Sequence, residues 1–471
     1  MCGATLTTLN FSTMVTDSND IILLLQRCPL LKVLKLDMLR PTVGHMSSDL
    51  SEEDSIVQTL VRSCPRLEKL TLSSENITDN CMIQLSHLSQ LKRFTLKQSS
   101  LVTKTGLRRF LEAGGKLESL TFSHVQAFST HDIDSLLDHP YSSIAINCKH
   151  LKVLEITTNT VFGDLSAALL ETVLASCVNL EELRIQNIYK RDWTYRDRIL
   201  IALIAHCPNV VCIKLPGFFS EAALLDLFRT YPRLTELSLH PLSDSSIQAL
   251  NLHCPPLKRF LTNRAMTDAT LCKFFESHPN LVALPVIYSK AALVSLARNC
   301  PKLKRLSLAL SRVDFGNTVY KATETCRNLV SMTISLRTML SVSEASVLGN
   351  SCRRVRRLRL YSDKMSASGI VALIQQTRRL NVLTIKCSNQ TVWEDLVTLL
   401  KCRPYFKRRL CIHFAISPTA KYKVELPELI VTNEITNEVV QHQKQNMYGP
   451  YIAASLFVML SVFMYTKGGH I

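Results

Sequence analysis

The sequence predicts an α/β solenoid, a curved horseshoe of about 15 strand–helix repeats with a membrane helix near its C-terminal end. Three observations predict it. A nine-residue unit, Cys-Pro-x-Leu-x-x-Leu-x-Leu, recurs along the chain, an apolar helical stretch precedes each copy, and an uncharged run of 18 residues stands near the end. A chain of 471 residues ordinarily divides into several domains, but a repeat array can extend one core over such a length.

The repeat unit is regular enough to place its strands. Clear copies begin at Cys28 (CPLLKVLKL), Cys64 (CPRLEKLTL) and Cys300 (CPKLKRLSL), and most steps between copies are 22 to 30 residues. The Leu-x-Leu part alternates with period two, which predicts a short strand whose leucines point inward. A partial copy begins at Leu6, and a degenerate copy follows Cys402. The first apolar positions of the fourteen full copies are Leu31, Leu67, Leu91, Leu117, Leu151, Leu180, Val210, Leu234, Leu257, Leu281, Leu303, Leu329, Val355 and Leu380.

The segments between strands predict helices. Stretches such as SIVQTLVRSC and AALLDLFRTY carry apolar residues at three-to-four spacing, which is typical of an amphipathic helix. A Ser or Thr followed by an acidic residue recurs ahead of them, as in ITDN at Ile77 and LSDS at Leu242, and this pair suits a helix N-terminus. No single unit can bury its apolar face alone, so we expect neighbouring units to stack.

The chain has 16 cysteines, and most of them recur at one position of the repeat. That position would hold them apart, so we expect reduced, buried thiols that act as small apolar groups. The N-terminus, MCGATLTTLNFSTMVTDSND, has no basic segment followed by an apolar run, and no cleavable signal peptide is therefore predicted.

These repeats resemble the cysteine-containing, ribonuclease-inhibitor-like leucine-rich repeats of the F-box/LRR proteins over roughly residues 1–415. In that family the solenoid recognises a substrate, and an N-terminal F-box recruits a Skp-type adaptor and the cullin of an SCF ubiquitin ligase. No F-box-like segment is visible ahead of the repeats, so either the natural protein is longer or this member lacks the module. The resemblance implies a substrate-recognition or adaptor subunit. The alternative is a membrane-anchored leucine-rich-repeat scaffold or inhibitor with no ubiquitin link.

Three segments are predicted: a solenoid over residues 1–418, a polar linker over 419–447 and a membrane anchor over 448–466. The run YGPYIAASLFVMLSVFMY carries no charge and approaches the roughly 20 residues of a membrane-spanning helix. Tyrosines near its ends suit the membrane interface. We therefore expect a tail-anchored, single-pass membrane protein with its solenoid in the cytoplasm. The competing interpretation is a helix that packs on the solenoid.

The formal net charge of +17 suggests an anionic partner. Residues 352–423 hold 16 basic and three acidic residues, so most of the excess lies at the end of the repeats. This end could lie against an anionic membrane surface, or it could simply be a solvated basic surface. The residues expected at the membrane surface are Arg403, Lys407, Arg408 and Arg409.

The strand positions between the leucines are expected to face outward on the concave side of the solenoid. Basic residues predominate there, and the acids, Asp37, Glu155, Glu182 and Glu236, are fewer. This balance favours an acidic or phosphorylated protein client, although outward strand positions also tolerate any polar residue. The candidate partner-binding residues are Lys69, Arg93, Lys97, Arg184, Lys214, Arg259, Arg305, Arg357, Arg359 and Lys386.

Motifs of common enzyme and metal sites are absent from the sequence. It contains no Gly-x-Ser-x-Gly, no Gly-x-Gly-x-x-Gly and no Cys-x-x-Cys. We therefore expect a non-enzymatic protein with no catalytic residue, metal or cofactor. Nucleic acid ranks last among the partners, because no RNA- or DNA-reading motif accompanies the charge.

Overall fold

The computed structural model describes most of the repeat region. The described residues are 5–11, 18–38, 51–128, 139–157, 164–186, 193–216, 219–240, 242–254, 256–262, 266–310, 315–336, 341–362, 366–386, 395, 410–415, 423–426 and 429–432. The chain divides into two compact units, Met1–Pro256 and Leu257–Ile471, and each is described by itself.

Strands and helices alternate through the described residues of the first unit, and neighbouring strands pair in parallel. The strands are β1 (Thr8–Phe11), β2 (Val33–Asp37), β3 (Lys69–Ser73), β4 (Arg93–Lys97), β5 (Ser119–Ser123), β6 (Val153–Thr157), β7 (Glu182–Gln186), β8 (Cys212–Pro216) and β9 (Glu236–His240). The helices are α1 (Ser18–Gln26), α2 (Ser51–Ser63), α3 (Asp79–Leu85), α4 (Lys104–Glu112), α5 (Pro140–Asn147), α6 (Asp164–Ser176), α7 (Trp193–His206), α8 (Glu221–Thr230) and α9 (Asp244–His253).

The second unit repeats this alternation and ends in a hairpin. Its strands are β10 (Arg259–Leu261), β11 (Ala283–Ile287), β12 (Arg305–Leu310), β13 (Ser331–Leu336), β14 (Arg357–Ser362), β15 (Val382–Lys386), β16 (Leu410–Ala415), β17 (Lys423–Leu426) and β18 (Leu429–Thr432). Its described helices are α10 (Asp268–Ser277), α11 (Lys290–Asn299), α12 (Phe315–Thr325), α13 (Val342–Ser351) and α14 (Ala367–Gln376). The hairpin of β17 and β18 is antiparallel, and β18 pairs in parallel with β16. It lies within the segment for which the sequence predicts a polar linker.

The predicted strand–helix repeat is confirmed. Each of the fourteen predicted apolar positions is buried and stands two residues ahead of a strand, from Leu31 before β2 to Leu380 before β15. The partial copy at Leu6 corresponds to β1, and the degenerate copy after Cys402 corresponds to β16. Each unit is therefore an α/β solenoid of the leucine-rich-repeat kind, in which stacked leucines form the core.

The Ser/Thr–acid pairs at the helix N-termini connect neighbouring repeats. The hydroxyl of Thr78 caps α3 by accepting from the amide of Cys81 at 3.3 Å. Asp79, the next residue, accepts from the backbone amide of Thr103 at 2.7 Å and from its hydroxyl, and Thr103 is the N-cap of α4. Asp79 therefore hydrogen-bonds to the N-cap residue of the following helix. Its negative charge also interacts favourably with the dipole of its own helix, α3.

The repeat cysteines are buried and unpaired, as predicted, but they are more than apolar fillers. The Cys207 thiol lies 3.4 Å from the carbonyl oxygen of Leu174 and 3.6 Å from that of Cys177, both at the C-terminal end of the preceding helix. Cys254 approaches Phe228 and Tyr231 in the same way. Since helix C-terminal carbonyls lack intrahelical donors, these two thiols supply a weak donor to the repeat before them.

The prediction of a membrane-spanning helix is wrong for the described chain. The longest described helix, α7, has 14 residues and is about 21 Å long, whereas the hydrocarbon core of a bilayer is about 30 Å thick. Across the described ranges, no helix is both long and apolar enough for a span. The predicted single-pass membrane location with a cytoplasmic solenoid is therefore withdrawn. The proposed anchor, residues 448–466, lies outside the described residues, as do Arg403, Lys407, Arg408 and Arg409.

Candidate functional site

The strands of both units have a buried and an exposed face. In β4 the leucine and phenylalanine positions are buried, whereas the first and last residues are exposed and the middle residue is half-buried. We call the surface formed by the first, third and fifth strand positions the exposed strand face. The candidate partner-binding residues all occupy such positions, because a strand alternates its side chains with period two.

Three of the predicted cations form a patch on β3 and β4. Lys69 and Arg93 are direct register partners on neighbouring strands, and Lys97 ends β4. All three side chains are exposed, and none forms an ion pair with another described residue. Like charges on adjacent strands repel one another, so an anionic partner across both strands would relieve that repulsion.

Arg184 and Lys214 lie instead in an ion network with three carboxylates. Arg184 contacts Glu182 at 2.6 Å, Glu236 at 3.6 Å and Glu155 at 3.7 Å. Lys214 contacts the other oxygen of Glu236 at 2.8 Å. Two cations face three anions, so the exposed strand face from β6 to β9 is not a basic surface.

Burial strengthens this network. The Arg184 side chain is only 18% exposed and that of Glu236 only 10% exposed, so solvent screens these charges weakly. The buried Arg184 Nε has no hydrogen-bond partner among the described residues. The network binds four neighbouring strands together, and we assign it to the stability of the first unit.

In the second unit, the predicted cations recur on alternate strands. Arg259, Arg305 and Arg357 occupy the first positions of β10, β12 and β14, and Ala283 and Ser331 occupy the intervening register positions. The three arginines are exposed, and Arg359 is half-buried two residues further along β14. Lys386 ends β15, and its side chain lies outside the described set.

Another set of cations, which the sequence reasoning missed, lies at the turns that lead into the same strands. Lys258, Lys304 and Arg356 directly precede the three arginines and are exposed. The signal was present as LKRF, LKRL and VRRL at positions 257, 303 and 355, alternating with LVAL, LVSM and LNVL. We call the six residues the basic ridge: Lys258, Arg259, Lys304, Arg305, Arg356 and Arg357.

The corresponding edge of the first unit alternates in charge instead. Backbone hydrogen bonds connect the residues that directly precede the strands, and Lys32–Glu68 at 3.1 Å and Lys152–Glu181 at 3.5 Å are ion pairs. An open groove of about 500 Å³ lies on this edge and includes Lys92 and Glu118. The alternating positions are Lys32, Glu68, Lys92, Glu118, Lys152 and Glu181.

His139 is a buried imidazole in the core of the first unit. His139 caps α5 by accepting from the amide of Tyr141 at 3.3 Å and stacks on its ring. Burial, and secondarily the charge of Lys104, lower the pKa of His139 to about 4. The imidazole is therefore neutral at physiological pH, and it is too deeply buried, at 3% exposure, to contact a partner.

The described part of the chain contains no cluster of potential metal ligands. No group of three or more His, Cys, Asp or Glu side chains there could hold a metal ion. Burial raises the pKa of Cys207 and Cys254 to about 12. The exposed strand face and the basic ridge can therefore bind a partner through their charged side chains.

Comparisons with known proteins found curated relatives of low sequence identity, although no protein-family model matches the chain. GRR1-like protein 1 of Arabidopsis thaliana is 23% identical over 353 residues, covering 71% of this chain and 53% of that protein. A transport inhibitor response 1-like protein of Oryza sativa subsp. japonica is 24% identical, with coverages of 66% and 51%. An F-box/LRR-repeat MAX2 homolog of the same organism is 22% identical, with coverages of 55% and 40%. The chain thus spans about half the length of the curated relatives it matches.

Two solved structures show weaker likeness. The chain shares 17% identity and a TM-score of 0.43 with the yeast complex of Rad7 and Elc1, covering 82% of this chain and 79% of that one. With a complex of TLR13 and ssRNA13 it shares 17% identity and a TM-score of 0.36, covering 87% and 61%. These scores are too low to carry an argument, and the repeat class rests on the strand–helix pattern itself.

Proposed function

We propose that this chain is the client-binding part of a ubiquitin-ligase adaptor of F-box/LRR type and that it has no catalytic activity of its own. The observation that carries the proposal is the combination of the stacked leucine-rich repeats with sequence likeness to three curated relatives, one of which is named as an F-box/LRR-repeat protein. The ligase partners would be a Skp-type adaptor and a cullin.

The client is proposed to be an acidic or phosphorylated protein. The support is the β3–β4 patch of Lys69, Arg93 and Lys97 and the basic ridge of the second unit, because both present exposed cations. Charged groups on a preformed surface give an anionic partner orientation and a fast encounter. The network around Arg184 is excluded from this role, because its cations are already paired.

Affinity purification of the full chain from cells tests the proposal. We expect a Skp-type adaptor and a cullin to co-purify with the wild type and with a Lys69→Glu, Arg93→Glu variant, because the client patch is not their binding site. Recovery of clients without any ligase component, after mild cross-linking, would contradict the ligase link. The chain would then be a leucine-rich-repeat scaffold or inhibitor.

A further inference from the structure

The basic ridge has a fixed period. Its three pairs, Lys258–Arg259, Lys304–Arg305 and Arg356–Arg357, stand at the starts of β10, β12 and β14. Parallel register relates the pairs through the intervening strands. Since neighbouring strands lie about 4.8 Å apart, successive pairs are separated by about 9.6 Å.

The backbone holds this spacing rigidly. The amide of Lys304 donates to the carbonyl oxygen of Val282 at 3.0 Å, and the amide of Val330 donates to that of Lys304 at 2.9 Å. The amide of Arg356 in turn donates to the carbonyl oxygen of Val330 at 2.9 Å. Val282 and Val330 therefore separate the cationic pairs, and no charged residue interrupts the spacing.

Within the described part of the second unit, two of the three ridge pairs have no ion-pair partner. Lys304, Arg305, Arg356 and Arg357 are exposed, and none of their side chains forms an ion pair with a described residue. The described acids of residues 257–386 lie in α10, α12 and α13 and not at the strand starts. Residues 257–386 contain 22 basic and six acidic residues. A partner that supplies negative charge is the missing complement.

Additional cations lie at the turns between the repeat cysteine position, which Thr377 fills in one copy, and the strand that follows. Lys302 donates to the amide oxygen of Asn280 at 2.7 Å, and Arg353 donates to that of Asn350 at 2.9 Å. These neutral partners orient the cations without cancelling their charge. The turn cations are Lys302, Arg327, Arg353, Arg354, Arg378 and Arg379.

We propose that the basic ridge binds an extended acidic segment of a client protein in which a negatively charged side chain recurs at every third residue. This inference rests on the proposed client-binding function and specifies the client's chemistry. An extended chain rises about 3.3 Å per residue, and a polyproline II chain about 3.1 Å. Three residues therefore span about 9 to 10 Å, which matches the spacing of the cationic pairs.

The same spacing disfavours nucleic acid as the occupant. A DNA strand carries a charge for every 3.4 Å or so of helix axis, so about two of every three phosphates would lie between the cationic pairs, beside the uncharged Val282 and Val330. Each pair instead offers two cations to one anionic group, and guanidinium groups can bind carboxylate or phosphate through two parallel hydrogen bonds. Aspartate, glutamate and phosphoserine share this chemistry.

Binding of fluorescent nine-residue peptides to the full chain tests the proposal. One peptide has glutamates at positions 2, 5 and 8, a second has the same composition with consecutive glutamates, and a third has phosphoserines at 2, 5 and 8. Such peptides are too short to form stable helices. We expect the spaced peptides to bind at least tenfold more tightly than the clustered one, with affinity falling as salt rises. The better of the two spaced peptides identifies carboxylate or phosphate as the preferred group.

Matched charge reversals locate the site. The double variant Arg305→Glu, Arg357→Glu should weaken the spaced peptide at least tenfold. The control Lys273→Glu, Arg298→Glu changes the charge of the same unit equally, on exposed positions of α10 and α11, and should bind normally. Thermal unfolding checks that both variants are folded.

Three outcomes would overturn the inference: equal binding of spaced and clustered peptides, equal weakening by both double variants, or tighter binding of random-sequence RNA than of any peptide. Co-purification of the Skp-type adaptor with the ridge variant separates this inference from the proposed function. Peptide binding without the adaptor would leave the inference standing and the ligase link refuted.

Discussion

The hydroxyl of Tyr231 lies 2.7 Å from the carbonyl oxygen of Leu203 and 3.0 Å from that of Cys207, and donates to these two acceptors. Tyr231 occupies the repeat position that most copies fill with cysteine. His278 and Thr377 occupy the same position, but they contact carbonyl oxygens in the last turn of their own helices, those of Phe274 and Leu373. The position therefore selects a buried donor, and cysteine is one way of providing it.

Replacement of Tyr231 by phenylalanine should lower the free energy of unfolding by about 1–3 kcal/mol, because it removes the side-chain donor from two buried carbonyl oxygens. The carbonyl oxygen of Leu203 would keep only the amide of Cys207 as its donor. Urea denaturation of the full chain measures the change. The exposed Tyr288 supplies the comparison, and its phenylalanine variant should remain within about 0.5 kcal/mol of the wild type. Equal effects of the two substitutions would contradict the donor role.

The repeat thiols should resist alkylation until the chain unfolds. With pKa values near 12, Cys207 and Cys254 are thiolates in roughly one molecule in ten thousand at pH 8, and only the thiolate reacts. Iodoacetamide labelling with site-resolved mass spectrometry should modify the half-buried Cys272 well before either of them. Addition of urea should make the three rates converge. Early native-state labelling of Cys207 would refute the prediction.

Stability should fall as the pH is lowered from about 6.5 to 4, in part because of His139. Burial lowers its pKa to about 4 from an ordinary 6.5, so the unfolded chain binds the proton first and is stabilised relative to the folded chain. The full contribution is present above pH 6.5 and amounts to about 3 kcal/mol. Urea unfolding at several pH values should show a shallower decline in His139→Asn, which retains a capping acceptor. The exposed His206→Asn is the control, and its profile should follow the wild type.

Loss of the central arginine should destabilise the first unit. Arg184→Met leaves the carboxylates of Glu155, Glu182 and Glu236 partly buried without their common cation, which should cost about 2–4 kcal/mol. Arg198, which pairs with Glu171 at 2.9 Å and is itself 54% exposed, is the matched control, with an expected loss below about 1 kcal/mol for Arg198→Met. Partial recovery on adding Glu236→Gln would confirm that charge, and not packing, causes the loss.

Gly106 should not tolerate even the smallest side chain. A Cβ at this position of α4 would lie 2.7 Å from the Cα of Asp79, so α3 would have to move. Alanine is better than glycine in a helix by about 1 kcal/mol, but the overpacking costs about 1–3 kcal/mol, and we expect a net loss. Thermal unfolding of the full chain measures the loss. Around Gly115 the space is open, so the control Gly115→Ala should be neutral or slightly stabilising. A stabilising Gly106→Ala would show that the helices can separate without loss.

The positions of the strands could be predicted from the sequence because each depends on local spacing. Leucines two residues ahead of a strand and at its alternate positions mark the core in every repeat, and the structure buries them where the pattern predicts. The helix N-termini could be predicted for the same reason. A Ser or Thr such as Thr78 caps a helix by accepting from the backbone amide three residues later.

The pairing of charges could not be predicted, because it depends on side chains from different repeats. Arg184 and Glu236 are 52 residues apart and meet only when β7, β8 and β9 are aligned in register. Counting cations against acids along the exposed strand face ignored which of them touch. The basic ridge was visible in the sequence, but only when every second repeat is compared.

Because lysine and glutamate alternate along the edge of the first unit, successive repeats there are of two kinds, one basic and one acidic at this position. Lysine and glutamate follow one another from Lys32 to Glu181 at positions joined by backbone hydrogen bonds. Deleting or duplicating a single internal repeat would set two lysines or two glutamates side by side, whereas a change by two repeats would preserve the order. The first unit can therefore grow or shrink without charge conflict only in steps of two, and a tandem pair is its natural module for duplication or engineered extension.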